Sequence, residues 1–317
     1  MAIVATGAGA ALPGDSRPQD LADAVIRPQR PVDAATRVPG RGLRYKDRAT
    51  RLALCAAYDA LRDAQLLTDG GLTVPGESIA VVASSNLGNL DTVCRVVDTI
   101  AAEGASRTSP MDLPNASSNV IASSVAIRFG LRGPNLMVCN GATSGLDAVH
   151  WAITMIVAGR ARGVLVLGVE PHHEVARRLS GREQVLDAAA AVFLEDTESA
   201  KRRGVPVRLR LGGYTRTTGV RECLSRLMAS NSSQPTDWYV PEAAPGTLRE
   251  EWLPGVDRHD LAAVWGASSG ALGVLQVVAA IGRFDTGAVG TAYAVNGGDH
   301  QDATAGLIMA SPEGETW

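Results

Sequence analysis

Short apolar runs alternate along this chain with longer stretches whose apolar residues recur every three or four positions. Ala2–Ala5, Ile79–Ala83, Leu136–Val138 and Gly163–Val169 are runs of strand length. Between them, Thr50–Gln65, Leu90–Ala102 and Asn119–Phe129 carry helical spacing; in the first, Leu52, Cys55, Ala56 and Leu61 fall on one face. The second half repeats the pattern. Strands are predicted near Ala190–Glu195, Val205–Thr215 and Trp238–Val240, helices at Val220–Ala229 and Ser269–Arg283, and closing strands near Ala292–Val295 and Ala305–Met309. Residues 14–45 are rich in Pro, Arg and Asp and are predicted to be irregular. Strands alternating with helices predict a layered α/β fold.

An internal repeat sharpens the picture. Gly141-Ala-Thr-Ser-Gly-Leu-Asp-Ala-Val149 compares with Gly266-Ala-Ser-Ser-Gly-Ala-Leu-Gly-Val274, and beyond it Ile153 corresponds to Val278 and Ile156 to Ile281. Each block is a small-residue turn opening an apolar helix. The first follows the apolar run Leu136–Val138 and a sharp turn at Asn140-Gly141. A side chain at position 142 sits where strand passes into helix, beside unpaired backbone N–H groups and the positive end of the helix dipole. A cysteine there would be pushed toward thiolate. The chain has Ala142 instead.

This segment resembles the β-ketoacyl synthases, whose pattern runs roughly G-P-N-x-x-V-x-T-A-C-x-S-G. Gly133, Pro134, Asn135, Val138, Ser144 and Gly145 match it, and Ala142 falls on the cysteine. Asp47–Leu54, Pro114-Asn115, Phe129–Arg132 and Gly204-Val205-Pro206 extend the likeness, which runs from Ile3 to Met309. The resemblance implies a thiolase-like fold: two pseudo-twofold-related α/β halves, 1–185 and 186–317, in an α-β-α-β-α sandwich. It also marks three places as short, between Glu170 and Ala190, from Thr247 to Gly266, and from Arg283 to Asn296.

Ketosynthase chemistry needs a thiolate to take the acyl chain and two histidines to drive decarboxylation and hold the enolate. By the resemblance, one histidine position falls on Ala243 (Pro245 in another register) and the other, in Gly266–Gly273, on Ala267. The supporting lysine is replaced by Ala262 or Ala263, and Asn296, before Gly297-Gly298, stands where the family has a gating phenylalanine. All three reaction positions are alanine. The resemblance then narrows to the chain length factor of type II polyketide synthases, a ketosynthase-like subunit that pairs with an active ketosynthase.

It implies a heterodimer, or a heterotetramer of two, reached by an acyl carrier protein. The interface is expected around the Leu136–Asn140 strand, with Leu136 and Val138, and around Asn115–Ile127. Val93 and Val97, on one face of the Leu90–Val97 helix, are candidates for tunnel lining, although core packing explains them equally well. The alternatives are a divergent ketosynthase or acyltransferase-like enzyme, and an acyl-carrier-binding scaffold.

Composition narrows the field further. The formal net charge of −3 gives no basic surplus for nucleic acid, and no apolar run reaches the roughly 18 residues of a membrane span. The N-terminus lacks a signal peptide's basic start. Four scattered cysteines without a CxxC fit a reducing cytoplasm, and neither a metal nor another cofactor is expected. Cys139 as a substitute nucleophile, Ser144 as a hydrolase serine, Gly7-Ala8-Gly9 as a dinucleotide loop, His172-His173 as metal ligands and Lys201-Arg202-Arg203 as a docking patch each have a plainer structural reading.

Overall fold

The computed structural model describes residues 1–15, 17–22, 31–38, 42–182, 184–231, 233–242 and 248–313. Ten strands carry the fold: β1 Ile3–Ala11, β2 Ile79–Ser84, β3 Asn135–Val138, β4 Gly163–Glu170, β5 Ala188–Asp196, β6 Leu209–Thr217, β7 Asp237–Tyr239, β8 Asp257–His259, β9 Thr291–Gly297 and β10 Thr304–Ala310. Six helices pack on them: α1 Arg48–Asp63, α2 Leu90–Glu103, α3 Val120–Phe129, α4 Ser144–Val157, α5 Val220–Ala229 and α6 Leu272–Asp285. The first five strands lie in the order β3-β2-β4-β5-β1 and the second five in the order β8-β7-β9-β10-β6. Adding five to each number of the first sheet gives the second, so the duplication is exact in topology. In both sheets the fifth strand runs antiparallel to its two neighbours, and the remaining pairs are parallel.

The two sheets join edge to edge, where Ile3, Val4 and Ala5 of β1 pair antiparallel with Leu211, Arg210 and Leu209 of β6. Their inner faces meet across α4 and α6. One core holds Val164 and Val166 of β4, Ala292 and Ala294 of β9, Leu146 and Val149 of α4, and Val274 and Val278 of α6. Alternate residues face outward, Leu165 and Leu167 onto α1 and α3, Tyr293 and Val295 onto α5. Strands covered on both faces must be apolar throughout, which is why they read as continuous runs rather than alternations. The layers are therefore helix, sheet, helix, sheet, helix, the expected thiolase-like sandwich.

The strands of the two halves can be grouped by sheet. β5 pairs with β4 and β1, so a boundary at 185/186 cuts the last strand from the first sheet. Divided by sheet, the first half ends at Asp196 and the second begins at Leu209.

The register of the repeat also moves. A short 3-10 turn, Gly141–Thr143, leads into α4, and a second, Ser269–Ala271, leads into α6. Aligning these turns equates Gly141 (φ 79°) with Ser269 (φ 41°), and Gly145 with Gly273. The structural offset is three residues larger than the one the sequence suggests. Three residues is almost one helical turn, so the apolar stripes overlap in either register. At the crossing the helices touch backbone to backbone: a Cβ on Gly145 would lie 2.6 Å from the Gly273 nitrogen, and one on Gly273 only 2.4 Å from the Leu146 nitrogen.

Close approach also explains the Gly-x-Gly of β1. A Cβ at Gly7 or Gly9 would sit 2.5 Å from the Ala60 oxygen or 2.3 Å from the Ala56 oxygen of α1. Those glycines let a helix settle on the strand, and the segment belongs to β1 rather than to a phosphate loop.

Candidate functional site

The ends of β2 and β4 and the two turns that open α4 and α6 surround a cavity of about 420 Å³. Ala142 and Ala267 both line it, with Asn86, Leu87, Cys139, Glu170, Glu242, Ser269 and Gly297. The fold thus brings together two of the three positions that sequence comparison marks as emptied of chemistry. Ala243, and Pro245 of the other register, lie outside the described residues. At both of these positions the wall carries only a methyl group.

Asn86, on the loop after β2, ties the two turns together. Its Nδ2 donates to the Gly141 carbonyl and to Ser269 Oγ, both at 2.9 Å, and its Oδ1 accepts from Ser144 Oγ at 2.9 Å. Ser144 is fully buried in this network, which gives it a structural task instead of a nucleophile's.

Glu170 ends β4 and is 2% exposed. Its carboxylate accepts from the backbone N–H groups of Asn86 (2.6 Å), Leu87 (3.1 Å) and Gly270 (3.1 Å) and from the Ser85 hydroxyl (3.2 Å). Burial outweighs these donors and pushes the acid up to about 7. Glu242 accepts from the N–H groups of Ser268 and Ser269 (2.9 Å to the latter) and from Ser268 Oγ (3.1 Å). Neither glutamate stood out in the sequence. A signal was present for both: Glu170 ends an apolar run, and Glu242 follows Trp238–Pro241 directly before the first missing histidine position.

Cys139 is exposed and lines the same cavity. Burial of its sulfur, then the charge of Glu170, raises its pKa, so the thiol is disfavoured as a nucleophile. His172 and His173 point apart: His172 Nδ1 lies 3.0 Å from the Val185 carbonyl, while His173 Nδ1 accepts from Ala176 N–H and caps the helix Glu174–Ser180. In the basic run, Arg203 pairs with Glu195 and Lys201 with Glu198.

The remaining expected residues are scattered. On α2, Thr92 and Val96 face inward, Val93 is half-buried and Val97 is 57% exposed. Asn115 is buried, its Nδ2 donating to the carbonyls of Tyr45 (2.8 Å) and Met111 (3.0 Å). Val138 belongs to the central core, and Leu136 packs half-buried against it. Asn296 corrects an expectation. It lies within β9, fully buried, and its Nδ2 donates to Gln276 Oε1 at 2.7 Å, so it faces the core and not the cavity mouth. Of that segment Gly297 reaches the cavity, while Gly298 has open space around it.

Residues 27–189 match the β-ketoacyl synthase N-terminal domain, and the chain belongs to that family. It is 28% identical over 197 residues to the 3-oxoacyl-[acyl-carrier-protein] synthase 2 of Vibrio harveyi, a match covering 53% of this chain and 48% of the relative. It thus spans about half the length of that curated relative. A granaticin polyketide β-ketoacyl synthase 1 from Streptomyces violaceoruber is 28% identical over 365 residues, covering 88% of this chain and 85% of the relative. Among solved structures, the ishigamide ketosynthase/chain length factor superposes with a TM-score of 0.81 at 20% identity, over 98% of this chain and 99% of the other. At that identity the superposition speaks for the fold.

Proposed function

We propose that this chain is a non-catalytic, chain-length-factor-like member of the ketosynthase family, which pairs with an active ketosynthase and shapes the acyl tunnel of a polyketide synthase. The observation that carries the reading is the cavity itself: Ala142 and Ala267, which the resemblance sets on the nucleophile and on the glycine-flanked histidine, both line it. The likeness to a ketosynthase/chain length factor pair supports it. So does the outer edge of β3, which among the described residues pairs with no strand. The helices beside it, α3 and α4, expose Ile127, Trp151 and Val157. An unpaired strand edge flanked by apolar side chains favours a protein partner, and an obligate interface of this kind buries on the order of 2,000 Å².

In this role the contribution of the chain is volume. A growing acyl chain stops where the tunnel stops, since forcing one more methylene into a packed wall costs about 1–3 kcal/mol. Val93 and Val97 remain the proposed wall residues, facing the partner from α2. An acyl carrier protein is the proposed source of the chain.

Co-expression with a ketosynthase that retains its cysteine and histidines tests this. The expected result is one co-eluting complex, with acyl label confined to the partner. Covalent labelling of this chain by an acyl or malonyl thioester, with no companion present, refutes it.

A further inference from the structure

The turn opening α6 offers three successive backbone N–H groups, at Ser268, Ser269 and Gly270. Ser268 sits at φ −124°, ψ 2° and Ser269 at φ 41°. That sequence of conformations points consecutive N–H groups into one concavity and makes a nest for an anion. A serine held in the left-handed region is itself a sign of strain at a working site. Here the nest is full. Glu242 takes the N–H groups of Ser268 and Ser269, and Glu170 takes that of Gly270.

The equivalent turn in the first half, around Gly141, is closed differently. Its Gly141 N–H is met at 3.3 Å by the neutral amide oxygen of Asn86. The two halves share one geometry, and only the second is filled with carboxylates. The methyl group of Ala267 lines the same cavity immediately before the nest. Arg182 also lines the cavity and is exposed.

We propose that Glu242 is an internal plug of this nest, which keeps carboxylate-bearing acyl groups of the malonyl class out of the cavity while admitting uncharged acyl chains. Two effects act together. The backbone donors that would receive a ligand carboxylate or an enolate oxygen are already occupied. A second negative charge brought beside Glu242 in a recess of reduced dielectric is repelled. The loss of the reaction groups is therefore matched by a change in what the chamber accepts. Even Ala142→Cys, Ala243→His and Ala267→His together would leave decarboxylation blocked until Glu242 is also removed. The inference rests on reading this cavity as a former ketosynthase site.

The test uses soluble pantetheine thioesters, acetyl, butyryl and malonyl, titrated by ligand-observed NMR onto the full chain, alone or with a co-purifying ketosynthase whose own cysteine is blocked. Wild type is expected to bind malonylpantetheine on the order of tenfold more weakly than butyrylpantetheine. Glu242→Ala frees the Ser268 and Ser269 N–H groups, leaving Glu170 on Gly270, and should bring the two within about threefold. Glu242→Gln removes the repulsion but keeps an oxygen on the donors, so its ratio should fall between the other two. If Glu242→Ala does not fold, a ratio in Glu242→Gln unchanged from wild type overturns the proposal. Equal binding of malonyl and butyryl thioesters to wild type overturns it as well, as does no binding of any thioester. A chain that discriminates yet never pairs with a ketosynthase keeps the plug and loses the subunit reading; one that pairs but does not discriminate does the reverse.

Discussion

Replacing Gly145 or Gly273 by alanine tests the backbone-to-backbone crossing on which the duplicated fold turns. In an ordinary helix, Gly→Ala stabilises by up to about 1 kcal/mol. Here a methyl at Gly145 meets the Gly273 nitrogen at 2.6 Å and its Cα at 2.9 Å, and a methyl at Gly273 meets the Leu146 nitrogen at 2.4 Å. Comfortable contact needs roughly 3.5 Å, so α4 and α6 would have to part by about 1 Å and lose dispersion along both helices. The obstructing atoms are main chain and cannot swing aside. We expect each substitution to destabilise by about 3 kcal/mol, at the upper end for overpacked cores. For a chain of this size that lowers Tm by roughly 4–5 °C. Gly298→Ala, with nothing within 4 Å of its added methyl, is the control and should shift stability by about 0.5 kcal/mol or less. Because both methyls demand the same separation, the double substitution should cost less than the two singles added. Thermal denaturation by circular dichroism on wild type and the four variants reads this out. Singles within about 2 °C of wild type, or strictly additive singles, would refute the crossing.

Other outcomes follow from the carboxylates and the thiol. Glu170 is raised from 4.5 to about 7 in the fold by burial, so its protonated form is the one folding favours. Its contribution is fully present below pH 4.5 and is lost as pH rises through about 7, on the order of 3 kcal/mol in total. Urea unfolding between pH 5 and 8 should show this decline in wild type and a flatter profile in Glu170→Gln; parallel profiles would remove Glu170 as the source. Cys139 is exposed but has a raised pKa. Its alkylation by iodoacetamide at pH 7 should be no faster than that of a small free thiol, and a faster rate would revive it as a nucleophile.

The sequence by itself determined the element pattern, the family and the alanine at position 142. β2, β4, β9 and β10 are buried along their whole length, so they stand out as apolar runs, and α1 and α5 appear within two residues of their expected ends. Position 142 was legible because Gly133, Pro134, Asn135, Ser144 and Gly145 fix the frame around it. Side-chain periodicity is a local property, however, and says which face of an element is apolar without saying what covers it. The three-residue error in the repeat arose because a shift close to one turn leaves the apolar stripe in place; the left-handed backbone at Gly141 and Ser269 is what fixes the register. Asn296 looked like a loop residue beside Gly297-Gly298, until its pairing with Gln276 showed it facing the core. Only the tertiary structure brought Glu170 and Glu242, far apart in the chain, onto three consecutive N–H groups of one turn. A backbone donor has no letter in the sequence, and its partner is chosen by the folded chain.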